Sequence, residues 1–176
     1  MNQINNPDFT IQLQRLWSIE SQLVEAMPRM VEKTSALGLE KNLAMHFEET
    51  RQHKVAIEAI CKQLDIDAKA GEPDAGLQHI LQQGEQTMMQ KAQGDEIDTA
   101  IIEAALQIEQ YEMEAYQPVG EMAASLGYIG IAQRLMLTFE EERQSNTKLQ
   151  FLYKSLFTQT ADIGQLEMQN EALRPF

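Results

Sequence analysis

The chain has 176 residues, 43% of them hydrophobic, with 27 acidic side chains against 14 basic ones and a formal net charge of −13. That length suits one domain around one core, and the acidic balance argues against a nucleic-acid groove or an anionic membrane surface, both of which reward clustered Lys and Arg. A lone cysteine, Cys61, cannot form an internal disulfide and reads as a small buried apolar residue. No run approaches the ~18 apolar residues of a membrane span, and the start MNQINNPDFT lacks the regions of a signal peptide, so a soluble cytoplasmic protein is expected.

Ala, Gln, Glu, Leu and Met dominate and aromatics are 6%, so the expected class is all-α. The first helix starts after NNPDF, with Asp8 or Thr10 as its cap, and runs to about Ala36, where LGLE should break it. Its apolar stripe reads Phe9, Leu13, Leu16, Glu20, Leu23, Met27, Met30, with Pro28 marking a bend. The second runs from about Glu40 to Leu64 and carries Leu43, His46, Glu49, His53, Ala56 or Ile57 and Ile60 on one side. The stretch DIDAKAGEPDAG ends it, and residues 77–93 read as a shorter amphipathic helix before a GDEID break. A connection of this length is far longer than the ~2 to 8 residues that join adjacent antiparallel helices. Two hairpins joined by one long helical crossover between helices 2 and 3 is the arrangement of a ferritin-like four-helix bundle. The third long helix spans Glu96 or Ile97 to about Leu126 with Pro118 inside, and the fourth spans Ile129 to Phe157. Residues 1–157 then form the bundle, and 158–176 a C-terminal tail with apolar residues at 163, 166, 168 and 173, placed on the outside or against a partner subunit.

Each long helix puts a glutamate where its own spacing calls for an apolar side chain: Glu20, Glu49, Glu112 and Glu142, with Glu109 one turn before Glu112. A charge in such a slot is costly unless it is paired or bound to a metal. No cation is available inward, because Arg15, Arg29, Lys41, Lys54, Lys91 and Arg143 fall off the stripes or near helix ends. Protons or metal ions must supply the balance, and two divalent ions fit the ligand count. Hard carboxylate oxygens with an imidazole suit iron or manganese.

In MHFEETRQH, Glu49 and His53 are four apart and share a face, while His46 lies a turn earlier. His53 is the first choice of nitrogen ligand and His46 the alternative. The usual Glu-x-x-His spacing is not met, since Gln52 stands three residues after Glu49. In FEEER, Glu142 points inward and Glu140 and Glu141 are expected to meet solvent, with Asn146 as a water-holding or outer partner. His79 reads as a surface residue. Trp17, Tyr111 and Tyr116 read as core aromatics, with a hydrogen bond to a ligand carboxylate or a redox role as the alternative.

Together IESQLVEAMPRM, HFEETRQH, IEQYEMEAY and FEEERQSNTKL resemble the YciE/YciF-type family of bacterial ferritin-like stress proteins, a branch of the rubrerythrin-like group, over residues 9 to about 156. The resemblance implies a four-helix bundle that pairs into homodimers, and matches Glu20, Glu49, Glu109, Glu112 and Glu142 to that family's di-metal carboxylates. The chain departs from the pattern at His53, where relatives usually carry Gln, at Gln110, where they carry His, and at Asn146, where Asp is common. The expected metal set is therefore Glu20, Glu49, His53, Glu109, Glu112 and Glu142, holding one or two ions of iron or manganese that act on oxygen or peroxide. A dimeric stress or scaffold protein that stores or senses metal without turnover, and a metal-free bundle of protonated acids, stand as alternatives.

Overall fold

The computed structural model describes residues 6–172, with side chains through residue 156. Among these residues the chain forms five α-helices and one 3-10 turn and no strand: α1 (Pro7–Lys33), α2 (Leu37–Gln63), α3 (Ala75–Met89), α4 (Asp95–Ser125) and α5 (Ile129–Ala172). Helices α1 and α2 form one hairpin and α4 and α5 the other, while α3 lies against α4 and α1 as the crossover. The fold is thus a four-helix bundle with a helical crossover between its second and third long helices. No described helix is long and apolar enough to cross a membrane.

Local chemistry sets the boundaries, in places differently from the periodicity. Asn6, rather than Asp8 or Thr10, caps α1: its side chain accepts from Phe9 N at 3.0 Å, and Pro7 opens the helix where its missing N–H costs nothing. LGLE is the first turn of α2, not a break, because the chain reverses already at Thr34–Ala36. At the other end of α2, Asp65 adopts a left-handed φ of 58°, and Ile66 N closes back onto Cys61 O at 2.9 Å. Gly127 does the same after α4, with φ of 81° and Tyr128 N bonded to Ala123 O at 2.9 Å. The last helix does not stop at Phe157 but continues to Ala172. The tail's expected contacts at 163, 166, 168 and 173 lie outside the described side chains.

The core is one continuous set of apolar side chains, including Leu13, Leu16, Ile19, Leu23, Leu39, Leu43, Ile57, Ile101, Ile102 and Leu135. Cys61 is buried within it, and burial raises its thiol to about 11, so it stays protonated and inert. Two buried aspartates tie the helices together. Asp74 caps α3 by accepting from Leu77 N at 2.7 Å, and also accepts from the Tyr111 hydroxyl at 2.6 Å and from Arg15 Nε at 2.8 Å. Gly76 lets this corner close, since a Cβ there would collide with the Tyr111 hydroxyl.

Asp98 of α4 reaches across to the α1–α2 turn, accepting from Ser35 N at 2.7 Å and Ala36 N at 2.8 Å. The Ala36 cap of α2 brings no side-chain acceptor of its own, so this carboxyl replaces it from another helix. Replacing Asp98 by Ala leaves two backbone donors without acceptors and is expected to cost about 3 kcal/mol, read as a lower urea midpoint with an unchanged slope.

Candidate metal centre

Midway along the bundle the apolar layers give way to a polar one. Glu20 of α1, Glu112 of α4 and Glu142 of α5 are 0% exposed, and His53 of α2 and Glu109 of α4 are 1% exposed. His46 of α2 is buried beside them. Each arrives by helical arithmetic: Glu20 sits in register with Leu13, Leu16 and Leu23, and Glu109 with Glu112 occupies the α4 face of Ile101, Ala105 and Ala115.

The side chains form two groups that could each hold a metal ion. His46, Glu109, Glu112 and Glu142 make one, and Glu20, His53 and Glu142 the other, with donor atoms in each group within 4.8 Å of one another. Glu142 belongs to both. Its Oε2 lies 3.6 Å from His46 Nε2 and its Oε1 lies 2.8 Å from His53 Nδ1. His46 Nε2 is also 3.1 Å from Glu109 Oε1. On the rim, the Tyr116 hydroxyl donates to Glu20 Oε1, and Ser145 Oγ donates to Glu109 Oε1 at 2.7 Å.

Hydrogen bonding within the protein does not satisfy this layer. Glu20 Oε2, Glu109 Oε2, both oxygens of Glu112, both of Glu142, His46 Nε2 and His53 Nδ1 are buried without a hydrogen-bond partner. Orphaned polar atoms are rare in folded proteins, and a cluster aimed at common points calls for a cation or for protons. Burial raises the Glu20 carboxyl to about 8, with His53 and the Tyr116 bond opposing, and raises Glu109 likewise to about 8. Glu112, buried with no partner and facing Glu142, Glu20 and Glu109, is held well above its ordinary value. Burial opposes charge on His46, but Glu109, Glu49 and Glu142 outweigh it and lift the imidazole to about 9; His53 is raised by Glu142 and Glu20 in the same way. Burial works against the Glu142 anion too, yet the two imidazoles flanking it hold it below its ordinary value. Burial thus favours the neutral form of Glu20, Glu109 and Glu112, while the two imidazoles favour the anion at Glu142.

Of the residues expected from the sequence, Glu20, His53, Glu109, Glu112 and Glu142 are brought together in these groups. Glu49 is outside both: its side chain is 38% exposed and its Oε2 lies 3.4 Å from His46 Nδ1, on the far side of that ring from the core. His46, the alternative nitrogen ligand, stands in the first group, so each group has one imidazole. Glu141 does not simply meet solvent; its Oε2 lies 2.9 Å from His53 Nε2. Asn146 bonds Gln150 at 2.7 Å and leaves the core to Ser145, a residue whose neutrality and small size carry no sequence signal. Tyr111 belongs to the Asp74 corner, and the Trp17 indole donates to Glu58 at 2.9 Å, so of the three aromatics only Tyr116 touches the layer. His79 is exposed.

The donor set fits a metal: carboxylate oxygens and one imidazole nitrogen per group, with their free atoms turned inward. Fold and site thus define an all-α bundle with a buried carboxylate–histidine layer able to hold a metal ion. Residues 7–162 match the model of the domain of unknown function DUF892, and the chain belongs to that family. It is similar to protein YciF of Escherichia coli, at 27% identity over 134 residues that cover 76% of this chain and 80% of the relative. The crystal structure of the E. coli stress protein YciF superposes with a TM-score of 0.82 at 25% identity, covering 86% of this chain and 96% of that one. YcfI, a candidate structural protein from Rhodopseudomonas palustris, superposes with a TM-score of 0.76 at 26% identity, covering 81% and 90% of the two chains.

Protons held by the folded layer are given up on unfolding, which sets the sign of the pH response. Glu20 and Glu109 go from about 8 folded to 4.5, and His46 from about 9 to 6.5, so each stabilising contribution is complete below the lower value and lost above the higher. The metal-free protein should therefore lose stability from about pH 5 towards pH 9, by on the order of 1 kcal/mol per pH unit for each titrating group. Thermal melts of chelator-treated protein check this.

Proposed function

We propose that the polar layer is a di-metal centre for iron or manganese and that the loaded protein is a stress-related oxidoreductase acting on oxygen or peroxide. In this reading His46, Glu109, Glu112 and Glu142 would hold one ion, and Glu20, His53 and Glu142 the other. The observation that carries it is the set of buried, unpartnered oxygens and nitrogens in two groups that share Glu142. The bound ions would supply one-electron chemistry that none of these side chains provides. The protein's own part is narrower. The closed layer keeps bulk water out, Tyr116 and Ser145 fix one oxygen each of Glu20 and Glu109, and the remaining oxygens stay free for cations. Full burial suits a reactant no larger than oxygen or peroxide. The description of the related YciF as a stress protein is in keeping with such a role.

A second reading, a stress or scaffold protein that holds metal without turnover, is favoured by the structural role suggested for YcfI. Metal analysis of protein loaded with Fe2+ or Mn2+ is expected to give about two ions per chain. Glu142→Ala should lose both, whereas Glu49→Ala, altering a side chain outside both groups, should keep them. Peroxide consumption by the loaded wild type, abolished by Glu142→Ala, supports the oxidoreductase; two ions with no turnover leaves the second reading, and no uptake sinks both.

Uptake must also release protons, because His46 and the raised carboxyls keep theirs up to about 8 or 9. Affinity for Mn2+ is expected to climb between about pH 6 and pH 9, and calorimetry in buffers of different ionisation enthalpy should count the protons.

A further inference from the structure

Resting on the reading of the layer as a metal centre, we propose that Glu141 is a positioning residue: it takes the Nε2 hydrogen of His53 and thereby commits the Nδ1 lone pair to the metal. The His53 ring is gripped by two consecutive residues of α5. Glu142 Oε1 lies 2.8 Å from Nδ1, and Glu141 Oε2 lies 2.9 Å from Nε2. Neighbours on a helix point about 100° apart, so Glu142 enters the closed layer while Glu141, 36% exposed, stays at its edge. The ring bridges the two environments.

A neutral imidazole has one N–H and one lone pair, and an ionised carboxylate only accepts. Glu142 Oε1 competes for a hydrogen on Nδ1 at 2.8 Å, but with that oxygen given over to a cation, Glu141 beside Nε2 would select the tautomer with hydrogen on Nε2. The other nitrogen, Nδ1, is buried without a hydrogen-bond partner and faces Glu142 and, at 3.9 Å, Glu20 Oε1. Arg134, two turns earlier on α5, places Nη1 3.4 Å from the same Glu141 oxygen and keeps the carboxylate turned to the ring. His46 is arranged the other way round: Nε2 points inward and Nδ1 faces Glu49 at a longer 3.4 Å. The two sites thus receive opposite imidazole nitrogens, and the outer carboxylate at His53 is the more tightly engaged. Such an outer partner orients the ring and raises its basicity as a ligand.

Protein labelled with [15N]histidine and loaded with Zn2+, a diamagnetic probe, tests this by long-range 1H–15N NMR. Coordination of His53 through Nδ1, with hydrogen on Nε2, is expected. In Zn2+ titrations Glu141→Ala should weaken one of two sites by about 10- to 100-fold and spare the other. Glu141→Gln, whose amide oxygen still accepts, should recover part of that loss, and Glu140→Ala, which removes only the exposed partner of Arg143 and Gln144, should change nothing. Hydrogen on Nδ1 of His53, Zn2+ bound without His53, or unchanged affinity in Glu141→Ala would overturn the proposal while leaving the metal centre standing. Wild type that takes up no Zn2+ would overturn the metal centre, and this proposal with it.

Discussion

Four carboxyl groups, from Glu20, Glu109, Glu112 and Glu142, face one another in a space closed to water, and no Lys or Arg among the described residues pairs with any of them. Like charges cannot persist so close in a low-dielectric interior unless something positive joins them or protons neutralise them. The histidines supply part of that balance, flanking Glu142 on either side. The unpartnered atoms of Glu112 and the free oxygens of Glu20 and Glu109 mark how much is left over. An apolar layer would have packed this bundle with less difficulty.

The surrounding architecture supports that layer without contributing to it. Hairpins α1–α2 and α4–α5 bring one acidic or imidazole-bearing face from each long helix to the same height. Asp98 ties α4 to the α1–α2 turn, and Asp74 with Arg15 and Tyr111 ties α3 to α1 and α4. These charged corners are hydrogen-bonded on every side that the fold presents to them. Buried aspartates with backbone and arginine partners hold helices together, while the buried glutamates keep oxygens without hydrogen-bond partners that could hold a metal ion.

The centre is not symmetric. One group offers three carboxylates and an imidazole, the other two carboxylates and an imidazole, and Glu142 is common to both. Tyr116 takes one oxygen of Glu20 on the poorer side, and its ring packs edgewise to His53 at 6.4 Å between centroids. Two ions held there would sit in different fields, the richer group compensating more positive charge. The family relation to YciF and the likeness to YcfI concern the whole bundle, whereas this asymmetry comes from individual side chains.

Periodicity was enough to show an all-α chain, the long crossover and the inward glutamates, because a 3.6-residue repeat assigns each position to a face whatever surrounds it. The same repeat could not decide how far in a side chain reaches. Glu49 and Glu142 look alike on their own helices, yet one is half-exposed beyond a histidine ring and the other lies at the centre, since only the packing of neighbouring helices sets depth. Nor could spacing reveal partners on other helices: Ser145 for Glu109, Glu141 for His53 and Asp98 for Ser35 and Ala36 are contacts between α-helices, or between a helix and a turn, far apart in sequence. The chain by itself determined which faces are apolar and where acids interrupt them. Tertiary structure decided which of those acids meet, because convergence depends on the rotation and register of four helices at once, and no single helix carries that information.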